Sequence, residues 1–248
     1  MSARDEVFAT LRRSLHVTGD EAPRRATVAA RLAASARGVV PARGQLDREG
    51  RIALFKRMAE AVQATVAVVE SAADVPAEAA RYLRDANLPA TLRRGDDPRL
   101  SAMPWDRTAL DIAIGRSDGG DLNAISHAFG GVAESGTLAM ISGPDNPTTL
   151  NFLPDNHIVV IDADDLAGDY ETVFARLRER FGKGVMPRTL NFITGPSRSA
   201  DIAQTMLLGA HGPRSLHIVI VRGGGNEGPT PPFPAGVPDE ARSDGEDL

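Results

Sequence analysis

Short apolar runs alternate with amphipathic segments along most of the chain. The runs are rich in Val and Ile and are bounded by Gly, Pro or Asp, which is typical of strands covered on both faces. They lie at 65–70, 110–115, 137–142, 157–162, 189–194 and 215–221. Residues 46–62, before the first run, and residues 169–181, between two later runs, place apolar side chains at helical spacing, so each segment predicts an amphipathic helix. This alternation predicts an α/β fold with a mainly parallel sheet flanked by helices.

The two ends of the chain depart from this pattern. Residues 1–45 contain a predicted helix at 3–15 and then Arg- and Ala-rich sequence without a strand pattern, and we interpret them as an N-terminal helical arm. Such an arm packs on its own domain or on a partner subunit. Residues 223–248 hold six glycines, five prolines and six acidic residues, a composition that predicts a disordered acidic tail. The α/β domain is therefore expected over residues 46–222.

Composition narrows the classes of function. A formal net charge of −5 and a pI of about 5.6 argue against a nucleic-acid-binding protein. No apolar run reaches the roughly 18 residues that a membrane span needs, and the first residues lack the apolar core of a signal peptide. We therefore expect a cytoplasmic protein without a membrane span.

Residue types and spacing also limit cofactor chemistry. The chain has no cysteine, so it offers no thiolate ligands for an iron–sulfur cluster. Its five histidines are scattered without metal-binding spacing, and this predicts no metal site. Neither a P-loop nor a dinucleotide-binding glycine motif is present. The identity of any cofactor stays open.

The first candidate site is a glycine-rich turn before the strand at 137–142. Glu134, Ser135 and Thr137 place a carboxylate and two hydroxyls there, and Gly136 permits a tight turn. The glutamate could act as a base, a nucleophile or a hydrogen-bond acceptor. Alternatively, the segment is a hairpin or bulge whose glutamate faces water.

The second candidate is the long loop at 142–157, which two Pro-Asp or Pro-Asn turn signals bracket. A loop of this length between buried strands often lies over a site, although a structural role is equally common. His157 begins the next strand. We expect it to have a structural role, with its ring bonded to a loop backbone.

The third candidate is the segment "GPSRSADI" at 195–202, which follows the strand at 189–194. Its pattern predicts a turn and then a helix that ends at Gly209. Ser197 or Ser199 would cap the first turn of that helix, or a phosphate or carboxylate would bind there with Arg198. If all strands share one parallel sheet, we expect the three candidate turns to converge at its carboxyl edge.

Four motifs resemble one known family. "AESGTL", "PDNHIVV", "GPSRSADI" and "GAHGP" occur in that order between about Gly119 and Val221. Together they are similar to the LUD domain, and specifically to the lactate utilization protein C (LutC) group. One departure is Ser135, where the family pattern has threonine. The "HGP" motif adds His211 to the predicted ligand-binding residues Ser135, Gly136, Thr137, Ser197, Arg198 and Ser199, with Glu134 as the candidate catalytic residue.

The resemblance carries implications for fold and function. It implies the NagB/RpiA/CoA-transferase-like fold. It also implies a role beside LutA-like and LutB-like iron–sulfur subunits that oxidise L-lactate to pyruvate, with the clusters on those partners. Two other functions stay open, which are a stand-alone enzyme that uses Glu134 and a regulatory ligand-binding module without catalysis.

Overall fold

The computed structural model describes residues 2–34, 36–199 and 207–223, without the side chains of residues 199, 207 and 208. Contacts divide the chain into two units, Met1–Val40 and Pro41–Leu248. The first unit contains two helices, α1 (Ala3–Leu15) and α2 (Ala22–Ala34). The helix expected at 3–15 is therefore present. The acidic tail expected beyond Gly223 lies outside the described residues, and the domain boundaries at 45 and 222 stay predictions.

The second unit contains four described α-helices and twelve described strands. The helices are α3 (Arg48–Ala61), α4 (Val75–Asp85), α5 (Pro98–Ser101) and α6 (Tyr170–Phe181). The strands are β1 (Thr65–Val69), β2 (Thr91–Arg94), β3 (Asp111–Ile114), β4 (Asn123–His127), β5 (Gly130–Val132), β6 (Thr137–Ile141), β7 (Asn156–Asp162), β8 (Leu166–Ala167), β9 (Leu190–Ile193), β10 (Arg198–Ser199), β11 (Leu207–Leu208) and β12 (Ser215–Val221).

Both helices predicted from apolar spacing in this unit are confirmed. The α3 helix begins after Asp47, whose carboxylate accepts a hydrogen bond from the Gly50 N–H at 2.8 Å. The α6 helix begins after Asp169, which accepts from the Thr172 N–H at 2.9 Å. These side chains satisfy amide groups that the first turn of a helix leaves free.

The main sheet has six strands in the order β1-β12-β7-β4-β2-β3, and every neighbouring pair is parallel. Side chains of its central strands alternate between two cores. In β12, Ile218 and Ile220 join a core shared with α3, whereas Val219 and Val221 join a core shared with α4. Burial on both faces explains why the strand reads as a continuous apolar run. The predicted α/β fold with a mainly parallel, helix-flanked sheet is confirmed.

A second sheet corrects the expectation that all strands share one parallel sheet. Its order is β8-β5-β6-β9, and β6 pairs antiparallel with both β5 and β9. This sheet covers α3 and one face of the main sheet, and α6 packs on its other side through Val173. The runs at 137–142 and 189–194 are strands as predicted, but they belong to this second sheet. An apolar run shows that a strand is buried and does not show which way its partner runs.

None of the helices described here is long and apolar enough to cross a lipid bilayer.

Candidate functional site

Four hydroxyl side chains form a connected cluster at one end of the second sheet. Ser135 Oγ lies 2.7 Å from Thr137 Oγ1, and the Tyr170 hydroxyl lies 3.0 and 2.9 Å from these two atoms. Thr137 Oγ1 is also 2.7 Å from Thr194 Oγ1. Each hydroxyl can donate one hydrogen bond and accept others, so the cluster holds its members in fixed positions.

Glu134 is buried beside this cluster. The residue is only 4% exposed, and its nearest charge is Arg43, whose Nε lies 3.6 Å from Glu134 Oε2. Oε2 accepts no hydrogen bond from any described residue. The turn does join the antiparallel strands β5 and β6, so the hairpin interpretation is correct, but its glutamate does not face water. A buried carboxylate oxygen of this kind can accept a hydrogen bond from a ligand.

Close backbone packing positions the turn. Gly136 has a φ of 67°, and a Cβ atom there would lie 2.4 Å from the backbone nitrogen of Ala59 in α3. Gly195 has a φ of 78°, and a Cβ atom would lie 2.6 Å from the Val62 carbonyl oxygen just after α3. The first and third candidate turns therefore both rest on the carboxyl end of α3.

The third candidate turn leads into a short strand. Arg198 and Ser199 form strand β10, which pairs antiparallel with Leu207 and Leu208 of β11. The predicted end of the helix at Gly209 is therefore wrong, because residues 207 and 208 form a strand, and residues 200–206 lie outside the described part of the chain. The backbone of Ser197 is also occupied, because its N–H donates to Pro213 O and its carbonyl accepts from the Gly209 N–H. The Ser197 N–H is therefore not free to bind an anion.

The "HGP" segment contacts this third candidate turn. The His211 N–H donates to Ser197 Oγ at 3.4 Å, and a Cβ on Gly212 would lie 3.3 Å from the Ser197 Cβ and 3.7 Å from a Phe152 ring carbon. The side chains of His211 and Arg198 are exposed. Because "HGP" precedes β12, this group lies beside the amino end of the parallel strands and not at the expected carboxyl edge.

The second candidate loop contributes mainly structural contacts. The Thr149 hydroxyl accepts from the Ser117 N–H at 3.1 Å, and the Asn146 amide donates to Ile141 O at 3.1 Å. His157 is fully buried, and its Nε2 lies 3.0 Å from Ser126 Oγ rather than near a loop backbone. Burial lowers the pKa of His157 to about 3, so the ring is neutral at pH 7. Its structural role is supported, with a different partner from the one expected.

The antiparallel pairing unites the first and third turns, because the start of β6 lies opposite the end of β9 through Leu138 and Ile193. The second loop begins at the opposite end of β6 and is therefore separate from these two turns. Only its Phe152 ring comes near the third turn, at Gly212. Sequence reasoning missed Tyr170, Thr194 and Arg43 as members of the site. In the sequence, Tyr170 occupies an apolar position of α6, so its spacing indicates a core residue. Its hydroxyl alone indicates a polar role.

The match to known proteins agrees with these motifs. The LUD domain family model matches residues 52–221, which includes the six-stranded sheet, the four-stranded sheet and the Glu134 turn. The chain belongs to the LUD domain family. As a LUD domain protein, it is 33% identical over 144 residues to lactate utilization protein C of Geobacillus thermodenitrificans, and this alignment covers 51% of the chain and 60% of that relative.

Other similarities cover comparable parts of the chain. Lactate utilization protein C of Halalkalibacterium halodurans is 33% identical over 118 residues, which are 47% of this chain and 51% of the relative. The chain thus spans about half to three fifths of the length of these relatives. The crystal structure of a DUF162 family protein from Deinococcus radiodurans is 23% identical, with a TM-score of 0.48, and covers 71% of this chain and 99% of that one.

Proposed function

We propose that this LUD domain protein is a LutC-like component of a cytoplasmic system that oxidises L-lactate to pyruvate. The observation that carries the proposal is the similarity to lactate utilization protein C, at 33% identity over 144 residues. Oxidation of lactate to pyruvate releases two electrons and two protons. Since this chain has no cysteine, clusters on LutA-like and LutB-like partners would accept the electrons.

Glu134 is the proposed reactive or ligand-contacting group of this component. Its buried Oε2 lies 3.6 Å from Arg43 Nε and accepts no hydrogen bond from a described residue. It could therefore accept a hydrogen bond or a proton from a bound organic acid. Ser135, Gly136 and Thr137 would shape the adjoining surface, because the hydroxyl cluster fixes the two side chains and the glycine allows the turn.

The second part of the proposed site is the surface formed by Ser197, Arg198, Ser199 and His211. Its support is the exposed guanidinium of Arg198 beside the half-buried Ser197, which the His211 backbone contacts. Arginine pairs well with carboxylate or phosphate groups. This surface would bind an anionic ligand or an acidic segment of a partner subunit.

Deletion of the gene in its host tests the role in lactate oxidation. We expect the deletion strain to lose growth on L-lactate and to keep growth on glucose. The wild-type gene should restore growth, as should Glu60→Gln, which changes an exposed glutamate of α3. The Glu134→Gln variant should not restore it although the protein accumulates normally. Normal growth of the deletion strain on L-lactate would refute the proposal.

A stand-alone enzyme is the second candidate function, and the buried Glu134 oxygen is the observation that favours it. In that case the purified chain would catalyse a reaction by itself, for example transfer of coenzyme A from an acyl-CoA to an organic acid, with release of the first acid. Glu134→Gln would abolish that activity. Lack of activity with acyl-CoA and folate substrates, combined with co-purification of cysteine-rich partners, would favour the lactate-oxidation component.

A further inference from the structure

Strand β9 forms one edge of the second sheet, and among the described residues it pairs only with β6. The Ser142 N–H donates to Thr189 O, and the residues that bond across an antiparallel pair alternate along the strand. Asn191 therefore also directs its backbone groups toward β6. The backbone groups of Leu190 and Phe192 point to the outer side of the strand, where no described residue bonds to them.

The sequence of this edge lacks the usual protection against another strand. Natural sheet edges are commonly blocked by charged residues, proline or bulges, because unpaired backbone groups otherwise recruit a further strand. Residues 189–194, TLNFIT, contain no charged residue, proline or glycine. The edge strand β3 of the main sheet, in contrast, begins with the exposed Asp111. The edge at β9 is therefore suited to pairing.

Phe192 makes the same edge apolar on the side that α6 covers. Its ring centroid lies 5.4 Å from that of Tyr170 and 5.7 Å from that of Phe174, both in edge-to-face contact. Even with these neighbours, 37% of the residue is exposed. An added strand would cover this ring together with the free backbone groups. The backbone and the side chains of the edge thus favour the same kind of occupant.

A second copy of this chain supplies a matching strand. Two β9 strands that pair antiparallel about a two-fold axis can place Phe192 opposite Phe192 of the second copy. In this register Leu190 lies opposite Thr194, so that the outward backbone groups of both strands bond to each other. The two aromatic rings then lie side by side on the α6 face, which is a favourable cross-strand pair.

The charges of α6 agree with this symmetry. Val173 is buried against the second sheet, and Phe174 contacts Phe192 at its edge. Helical spacing places Glu171 and Arg178 beyond Phe174, on the side away from Val173. The two-fold axis reverses α6 relative to its counterpart. It therefore turns Glu171 toward Arg178 of the second copy, and the reverse, which gives opposite charges on both sides of the axis.

We propose that the protein forms a homodimer through β9, in which the two four-stranded sheets become one continuous sheet. An interface of this kind is isologous, as in most two-fold dimers. Its register brings Arg188 of the second copy close to Thr194, the exposed member of the hydroxyl cluster. The second copy thereby adds a cation beside this cluster. The dimer rests on the free edge and does not depend on the role in lactate oxidation.

Sedimentation velocity of the full chain tests the dimer. We expect about twice the chain mass of 26.3 kDa at a protein concentration of about 50 μM. Phe192→Lys should raise the dimer dissociation constant at least about 10-fold, because it sets two like charges opposite each other. Ile114→Lys is the matched control, since Ile114 is an exposed apolar residue of the other edge strand β3. Circular dichroism checks that both variants fold.

A single cysteine tests the register. The chain has no cysteine, so the thiol of Phe192→Cys can form a disulfide only with a second copy. Opposite residues of a hydrogen-bonded antiparallel pair have Cα atoms about 5.5 Å apart, which suits a disulfide. Oxidation with diamide should cross-link this variant and leave Ile114→Cys monomeric on a non-reducing gel. A monomeric wild type would overturn the proposal, as would equal dissociation constants of Phe192→Lys and Ile114→Lys, or equal cross-linking of the two cysteine variants.

Discussion

Replacement of Gly136 by alanine tests whether the Glu134 turn is built against α3 as described. A Cβ at this position lies 2.4 Å from a backbone nitrogen, well inside the 3.0 Å limit of real Cβ contacts. The backbone of Ala59 must shift, and overpacking of this kind costs about 1–3 kcal/mol. The φ of 67° adds about 1–2 kcal/mol of left-handed strain. We therefore expect the free energy of unfolding to fall by about 2–5 kcal/mol.

Gly184→Ala is a matched control for the strain alone. Gly184 has a φ of 79° and is exposed, and its Cβ would meet nothing within 4 Å. This variant should lose only the strain contribution, about 1–2 kcal/mol. Urea unfolding followed by circular dichroism measures both values. Equal losses for Gly136→Ala and Gly184→Ala, within about 0.5 kcal/mol, would refute the packing of this turn on α3.

Three further substitutions probe the hydroxyl cluster and two other carboxyl groups. Tyr170→Phe removes the hydroxyl that contacts both Ser135 and Thr137, and the free energy of unfolding in urea should fall by about 1–2 kcal/mol. An unchanged free energy of unfolding would contradict the hydroxyl cluster. Asp97→Asn leaves Arg99 without its buried carboxylate and should cost about 3 kcal/mol, whereas a neutral effect would contradict the ion pair. For Asp165, burial and then the nearby Asp162 raise its pKa to about 6. Between about pH 4 and 6 the Asp165 carboxyl is therefore protonated in the folded state and ionised in the unfolded state. The wild-type free energy of unfolding should fall relative to that of Asp165→Asn as the pH rises through this window. Parallel pH profiles of the two unfolding free energies would contradict the raised pKa.

The strands that the sequence predicts best are those buried on both faces. The run at 215–221 is β12 without change of bounds, because its Val and Ile side chains fill the cores on both sides. β4 was missed because it contains Asn123, Ser126 and His127, all of which are buried. Their polar groups bond to neighbouring strands and loops, and such partners cannot be recognised from a local pattern.

The candidate site was predicted only in part, for a related reason. The motif around Glu134 was found, but the contacts of this buried residue, Arg43 and the backbone of Gly168, are distant in sequence. The helix expected to end at Gly209 was predicted from local capping residues. Pairing of Leu208 with Arg198 overrides that local preference at the end of the predicted helix.

Lactate-dependent dye reduction in cell extract tests the proposed role most directly. Extract from the deletion strain should not reduce the dye with L-lactate, and added wild-type protein should restore the reduction. Purified protein alone should show no such activity, and the Glu134→Gln variant should fail to restore it while Glu60→Gln succeeds. Full activity in the deletion extract without added protein would contradict the account.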